Sequence, residues 1–386
     1  MRKVCVVVTA RASYSRIRSV LLELRDRPDV ELQIVVAASG LLDRTGRVVE
    51  TMRRDGMSVD AEVFSLVEGD IPANMVKTTA LAMLELPAVF VGLKPDVVVV
   101  IADRYETIAT SIAASYMQIP VAHLQGGEIT GNIDERVRHA NTKLADLHFV
   151  STEVARRRVL SMGERPESVH LTGCPSVDLA RGIHRGAGLD FDPFEKYGGV
   201  GEKMSLADGY LVVLQHPVTT EAENSRQQVI ATLDAVTSLD LPTLWFWPNV
   251  DAGADGTSKA IRVYRETRDA KKLHFFKNMD PVEFLKLISN ASALVGNSSV
   301  GVREAGFLGV PVVNIGTRQA GRERAANVLD CGYGREAISA AIKQQVDHGN
   351  YQPDRLYGDG KAGVRIAELL ATEPLTSIKQ FVDPVG

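Results

Sequence analysis

The chain has 386 residues, 45% of them hydrophobic, with 44 Lys and Arg set against 48 Asp and Glu. That length exceeds a usual single domain and supplies core enough without disulfides or structural metals. The near balance of charge lacks the basic footprint of a nucleic-acid binder, so any anionic ligand must be held by local features.

In chain order, the opening Val4–Val8 run reads as a buried first strand; at five residues it is too short for the apolar core of a signal peptide. Further strands are expected at Leu32–Ala37, Val97–Ala102, Val121–Leu124, His148–Val150 and Val169–Leu171. Amphipathic stretches at Tyr14–Leu24, Asn74–Leu93 and Thr107–Met117 alternate with them, which is the pattern of βαβ units and a parallel sheet. Residues 181–209 are rich in Gly, Asp and Lys and read as a linker. A second series follows, with strands at Leu211–Leu214, Leu244–Trp247, Leu273–Phe276, Ala293–Val295 and Val312–Ile315, and helices such as Val229–Leu239 and Val282–Ser289.

The expected architecture is α/β, with two doubly wound Rossmann-like domains and a cleft between them. Residues 1–180 form the first domain and 210–358 the second, and 359–386 supply a C-terminal helix and tail. Cys5, Cys174 and Cys331 are few and scattered, and read as free thiols in a reducing compartment. No run approaches the about 18 apolar residues of a membrane helix, so a soluble, cytoplasmic protein is expected.

The strand ends carry the chemistry. After the first strand, Arg11 and Arg16 flank a turn into a helix, where the G-x-G-x-x-G of a dinucleotide site is absent. Guanidinium groups and a helix start both suit an anion, with solvated helix-start residues as the plainer alternative. Asp103, Arg104 and Glu106 crowd the end of the central apolar strand, where a helix cap by Asp103 is the competing reading. Glu128 follows Gly126-Gly127 at the next strand end, and Asp134, Arg138 and His139 lie on the helix beyond. Asp134 and Arg138 are four apart, the spacing of an ordinary surface ion pair.

In the second series His216 precedes a proline at a strand end, and Asn249 lies in Trp247-Pro248-Asn249-Val250-Asp251 after the next strand. Gly296-Asn297-Ser298-Ser299 turns a strand into a helix, offering N–H groups and hydroxyls to a diphosphate, with Glu304 one turn on at ribose reach. Arg318 and Arg322 follow the next strand. No metal-ligand spacing and no G-x-S-x-G elbow occur, so no metal, no cofactor and no serine hydrolase is expected.

Together these segments resemble the hydrolysing UDP-N-acetylglucosamine 2-epimerases. The matching stretches are RASYSR at 11–16, DRYE at 103–106, GGEITGNIDERVRHANTKLADLHF at 126–149, HPVTT at 216–220, WPNVDAG at 247–253 and GNSSVGVREAGFLGVPVVNIGTRQAGRE at 296–323. The resemblance implies a glycosyltransferase-B-like fold with UDP held mainly by the second domain. It implies that Arg11, His216, Asn249, Ser298, Ser299, Glu304, Arg318 and Arg322 contact the nucleotide or support those that do. It also makes Asp103, Glu128 and Asp134 the acid/base carboxylates and counts His216 with them among the catalytic residues, with Arg104 and Arg138 near the sugar. Arg16 stands where the family more often has Lys. The implied reaction takes UDP-N-acetylglucosamine and water to UDP and N-acetylmannosamine through a 2-acetamidoglucal, in a homodimer or homotetramer. UDP-2,4-diacetamido-2,4,6-trideoxyglucose as substrate, a non-hydrolysing epimerase, a retaining glycosyltransferase and a silent nucleotide-sugar sensor are the alternatives.

Overall fold

The computed structural model describes residues 1–42, 48–69, 71–130, 133–248, 254–268 and 270–383, which fall into two units. The first comprises residues 1–129, 133–178 and 357–386; the second comprises 130–132 and 179–356.

In the first unit the strands are β1 Arg2–Val8, β2 Val30–Ala37, β3 Ala61–Val63, β4 Val97–Ile101, β5 Val121–Leu124, β6 Leu147–Val150 and β7 Val169–Leu171. They form a parallel seven-stranded sheet in the order β3-β2-β1-β4-β5-β6-β7. The continuous apolar runs of β1 and β4 are explained by burial on both faces. Alternate residues enter different cores: Val4, Val6, Val97 and Val99 pack on one side, Cys5, Val7, Val98 and Val100 on the other. Burial, the larger cause, and Asp60 push the Cys5 thiol up to about 12, so it behaves as a small apolar side chain.

The second unit repeats the plan with β8 Val200–Gly201, β9 Leu211–Leu214, β10 Thr243–Phe246, β11 Leu273–Phe276, β12 Ala293–Gly296, β13 Val312–Ile315 and β14 Val328–Cys331. Their order is β14-β13-β12-β9-β10-β11-β8, with only β8 antiparallel. In each sheet the chain winds outward one way from a central strand, β1 or β9, then restarts on its other side with β4 or β12. The two switch points lie between these strand pairs, and there the carboxyl ends of a doubly wound sheet open a crevice.

Two expectations need correction, the bare linker and the lack of a long apolar helix, while the expected C-terminal helix is present. The 181–209 stretch is not a bare linker: it holds the Pro193–Tyr197 helix and β8, and Phe194 enters the second core. Its apolar residues are too irregularly spaced to show a period. The C-terminal helix, Ala362–Thr372, packs Ile366 and Leu370 into the first core, whose Arg11–Arg25 helix it contacts. An amphipathic face shows that a helix docks but not which core receives it. Finally, among the described residues one helix, Pro72–Leu93, is long and apolar enough to cross a membrane. Asn74, Lys77, Thr78, Thr79 and Glu85 break the segment up and hide this from a search for unbroken apolar runs. It buries Ala82, Leu86 and Phe90 beneath the first sheet and leaves Val76, Leu84 and Val91 exposed.

Candidate functional site

At the first switch point β4 ends in a sharp turn. Ala102 takes a left-handed conformation with φ of 56°, which a non-glycine residue adopts only when its surroundings enforce it. His123 Nε2 lies 2.8 Å from the Ala102 carbonyl oxygen, and its Nδ1 lies 3.2 Å from Thr142 Oγ1. Burial, the dominant cause, lowers the His123 pKa to about 3, so this imidazole is a neutral brace.

The turn delivers Asp103 to a pair of guanidinium groups. Arg16 Nη1 donates to Oδ1 at 3.2 Å, while Arg138 donates to Oδ2 from Nε at 3.2 Å and also from Nη2. Arg138 Nη1 donates to the Glu128 carbonyl at 2.7 Å, so one side chain joins the loops after β4 and β5. Gly127, at φ of 77°, makes that second loop possible: a Cβ there would lie 2.3 Å from the Ala155 carbonyl oxygen. Arg138 is fully buried, which disposes of the surface-pair reading. Burial opposes its charge, but the fields of Asp103, Glu128 and Asp134 and the Asp103 hydrogen bond hold its pKa above the ordinary value. Arg104 Nε donates to Glu106 Oε1 at 2.7 Å. The start of the Thr107–Tyr116 helix carries no side-chain cap, so Asp103 is not its cap.

This edge therefore assembles Arg16, Asp103, Glu128, Asp134 and Arg138. Arg11 opens its helix at the end of β1, and no side chain caps that helix start. His123, Thr142 and Glu106 support the edge; Glu106 was noted at this strand end without a role, and His123 and Thr142 were not among the expected site residues. For Glu106 the signal lay in the sequence, a carboxylate two residues after an arginine at a strand end; the other two show their role only through contacts across elements.

At the second switch point Gly296, with φ of 132°, lets the backbones of β12 and β9 meet; a Cβ would lie 2.1 Å from the Leu214 carbonyl oxygen. Asn297 then clamps the two strand ends. Its Oδ1 accepts from His216 N at 2.8 Å and its Nδ2 donates to the His216 carbonyl at 2.8 Å. Arg318 Nη1 and Gln319 Nε2 donate to the Asn297 carbonyl at 3.2 and 2.9 Å, and Gln319 Oε1 accepts from Arg322 at 2.8 Å. The expected helix is two short ones, Ser299–Val302 and Glu304–Leu308, kinked at Arg303. Ser298 caps the first through its side chain. Glu304 is 9% exposed, and its Oε2 has no hydrogen-bond partner among the described residues. His216, Ser298, Ser299, Glu304, Arg318 and Arg322 thus border one strand-end region, braced by Asn297 and Gln319, which sequence reading passed over. Asn249 lies outside the described residues. Among those residues no group of three or more His, Cys, Asp or Glu is placed to hold a metal ion.

Fold and edges together define a tandem doubly wound α/β protein whose charged and hydrogen-bonding groups gather where such sheets bind ligands. The chain belongs to the UDP-N-acetylglucosamine 2-epimerase family, whose sequence profile matches residues 22–371. It is 32% identical over 377 residues to a Legionella pneumophila UDP-N,N'-diacetylbacillosamine 2-epimerase (hydrolyzing), covering 98% of this chain and 97% of that one. It is 30% identical over 331 residues to a Campylobacter jejuni GDP/UDP-N,N'-diacetylbacillosamine 2-epimerase (hydrolyzing), covering 85% and 84%. The fold is shared with a Neisseria meningitidis UDP-GlcNAc 2-epimerase solved bound to UDP-GlcNAc, with TM-score 0.76, 20% identity, and coverage of 95% and 99%.

Proposed function

We propose that this protein is a hydrolysing 2-epimerase of a UDP-2-acetamido sugar, releasing UDP and the free sugar inverted at C2. The gathering of Asp103, Glu128 and Asp134 around Arg138 is the observation that carries this reading. In such a substrate the C1–O bond and the C2 hydrogen are axial on opposite faces. A carboxylate takes the C2 proton, the C1–O electrons leave with UDP, and a C1–C2 double bond remains. A second acid then delivers a proton to C2 from the other face, and water adds at C1. One carboxylate does not serve both faces, which several carboxylates at one edge would answer; each proton transfer contributes about 10²–10⁴-fold.

The second edge would hold the nucleotide: Ser298, Ser299, Arg318 and Arg322 at the diphosphate and Glu304 at the ribose, with His216 and Asn249 as further contacts or supports; Arg11, at the end of β1, keeps its proposed role as a nucleotide contact or support. Arg16, Arg104 and Arg138 would face the sugar, so the departing charge is stabilised by fixed donors. The hydrolysing character and the sugar rest on the relatives' names. Because two relatives of 30% identity or more act on diacetylbacillosamine, we place that 2,4-diacetamido sugar ahead of N-acetylglucosamine. Incubation with each UDP-sugar and no acceptor tests this: free UDP together with free amino sugar is expected from one of them. An epimerised UDP-sugar without free UDP would refute hydrolysis.

A homodimer or homotetramer joined through the outward face of Pro72–Leu93, with Val76, Leu84 and Val91 exposed, completes the reading. Light scattering that finds only monomer at micromolar concentration would remove it.

A further inference from the structure

Beyond its last helix the chain runs back across the first unit without regular structure, and one half-buried cation ties it there. Lys379 Nζ donates to the Thr142 carbonyl at 3.4 Å, to the Ala145 carbonyl, and to Glu164 Oε2 at 2.5 Å. Glu164 is 3% exposed at its side chain; it also accepts from Lys143 at 2.6 Å and lies 3.1 Å from His148 Nε2. Burial works against the Glu164 charge, but His148, Lys143 and Lys379 overcome it and hold the pKa down at about 2. Two residues on, Phe381 lies against Gly163 and Val382 N donates to the Gly163 carbonyl at 3.0 Å.

The carbonyls of Thr142 and Ala145 close the end of the Ile133–Leu144 helix, which carries Asp134 and Arg138. A cation there satisfies last-turn carbonyls and complements the helix dipole. The same Thr142 reaches inward: its Oγ1 meets His123, which braces the Ala102 turn that presents Asp103. One continuous set of contacts thus leads from Lys379 through Thr142 and His123 to Asp103, and along one helix to Arg138.

We propose that Lys379 is a positioning residue for the reaction: the C-terminal strap holds the Ile133–Leu144 helix in the register at which Arg138 meets Asp103. This rests on the reading of Asp103, Asp134 and Arg138 as the sugar-side machinery. Misplacing such groups by about 1 Å costs up to about 10²-fold in rate. Lys379→Met is therefore expected to lower kcat about tenfold or more with UDP affinity within about twofold of the parent, since the second unit holds the nucleotide. Lys379→Arg should recover most of the loss.

Hydrogen exchange supplies a readout independent of turnover. Amides of 140–145 should exchange about tenfold faster in Lys379→Met, with the second unit unchanged. If that variant does not fold, Phe381→Ala loosens the strap from its exposed side and should give the same pattern more weakly. Unchanged exchange at 140–145, kcat within about twofold of the parent, or equal losses of kcat and UDP affinity would each overturn the proposal. Should the parent turn over neither UDP-sugar, the functional reading fails and the exchange result alone judges the strap.

Discussion

Replacing Arg138 by Met puts the first edge under direct test. The change removes two donors to Asp103 and one to the Glu128 carbonyl, at a position with no solvent exposure. Leaving a buried partner charge uncompensated costs about 3–5 kcal/mol. Arg16 still donates to Asp103, so we take the lower end, about 3, and add about 1 kcal/mol for the Glu128 carbonyl. The first unit should lose about 4 kcal/mol in all, and the partial rescue by Asp103→Asn makes the argument specific. A double-mutant cycle on urea unfolding should give a coupling of about 2 kcal/mol or more. Both tryptophans, Trp245 and Trp247, lie in the second unit, so intrinsic fluorescence reports the wrong half. Circular dichroism or hydrogen exchange must follow the first. Additivity of the two changes within about 0.5 kcal/mol would refute the idea that Arg138 and Asp103 form the energetic centre of this edge.

Asn297→Ala removes both 2.8 Å bonds to the His216 backbone and should destabilise the second unit by about 1–3 kcal/mol and weaken UDP at least about tenfold, which calorimetry reads. Glu304→Ala should weaken UDP as well; unchanged affinity in both variants would remove the nucleotide from this edge. Turnover in heavy water should place deuterium on C2 of the product, whereas retention of the original C2 hydrogen would refute the two-face mechanism. Stability should also fall on mild acidification. Burial lowers the pKa of His123 from 6.5 to about 3, and His139, His148 and His170 are lowered too, chiefly by burial. Below pH 6.5 the unfolded chain therefore takes up protons that the folded one refuses, so stability drops as pH falls toward 3. A flat unfolding temperature between pH 7.5 and 5 would contradict this.

Some of the site was legible because its signals are local. An apolar run that ends in Asp103-Arg104, or in Gln125-Gly126-Gly127-Glu128, marks a buried strand reaching its polar rim whatever surrounds it. The glycines at 127 and 296 stand at strand ends read as turns, and there a Cβ would lie 2.3 and 2.1 Å from a carbonyl oxygen. Pairings across distance were not legible. Asp134 and Arg138, four apart, fit a solvated helix face, yet the helix turns Arg138 inward to Asp103, thirty-five residues away. Asn297 was one polar letter in a loop until β9 and β12 became neighbours and its amide met His216.

The sequence by itself therefore determined every strand except β3, β8 and β14, the burial of the central ones on both faces, the doubly wound class and the strand ends at which charge collects. These follow from periodicity and from the short reach of turn chemistry, which act within a few residues. Only the tertiary structure decided which core the final helix enters, how the 181–209 stretch adds an edge strand, and that Lys379 reaches the end of the helix bearing Arg138. Those outcomes depend on which faces meet when two sheets close over their cores. A lysine in a polar tail carries no local mark of the carbonyls it will find 237 and 234 residues away.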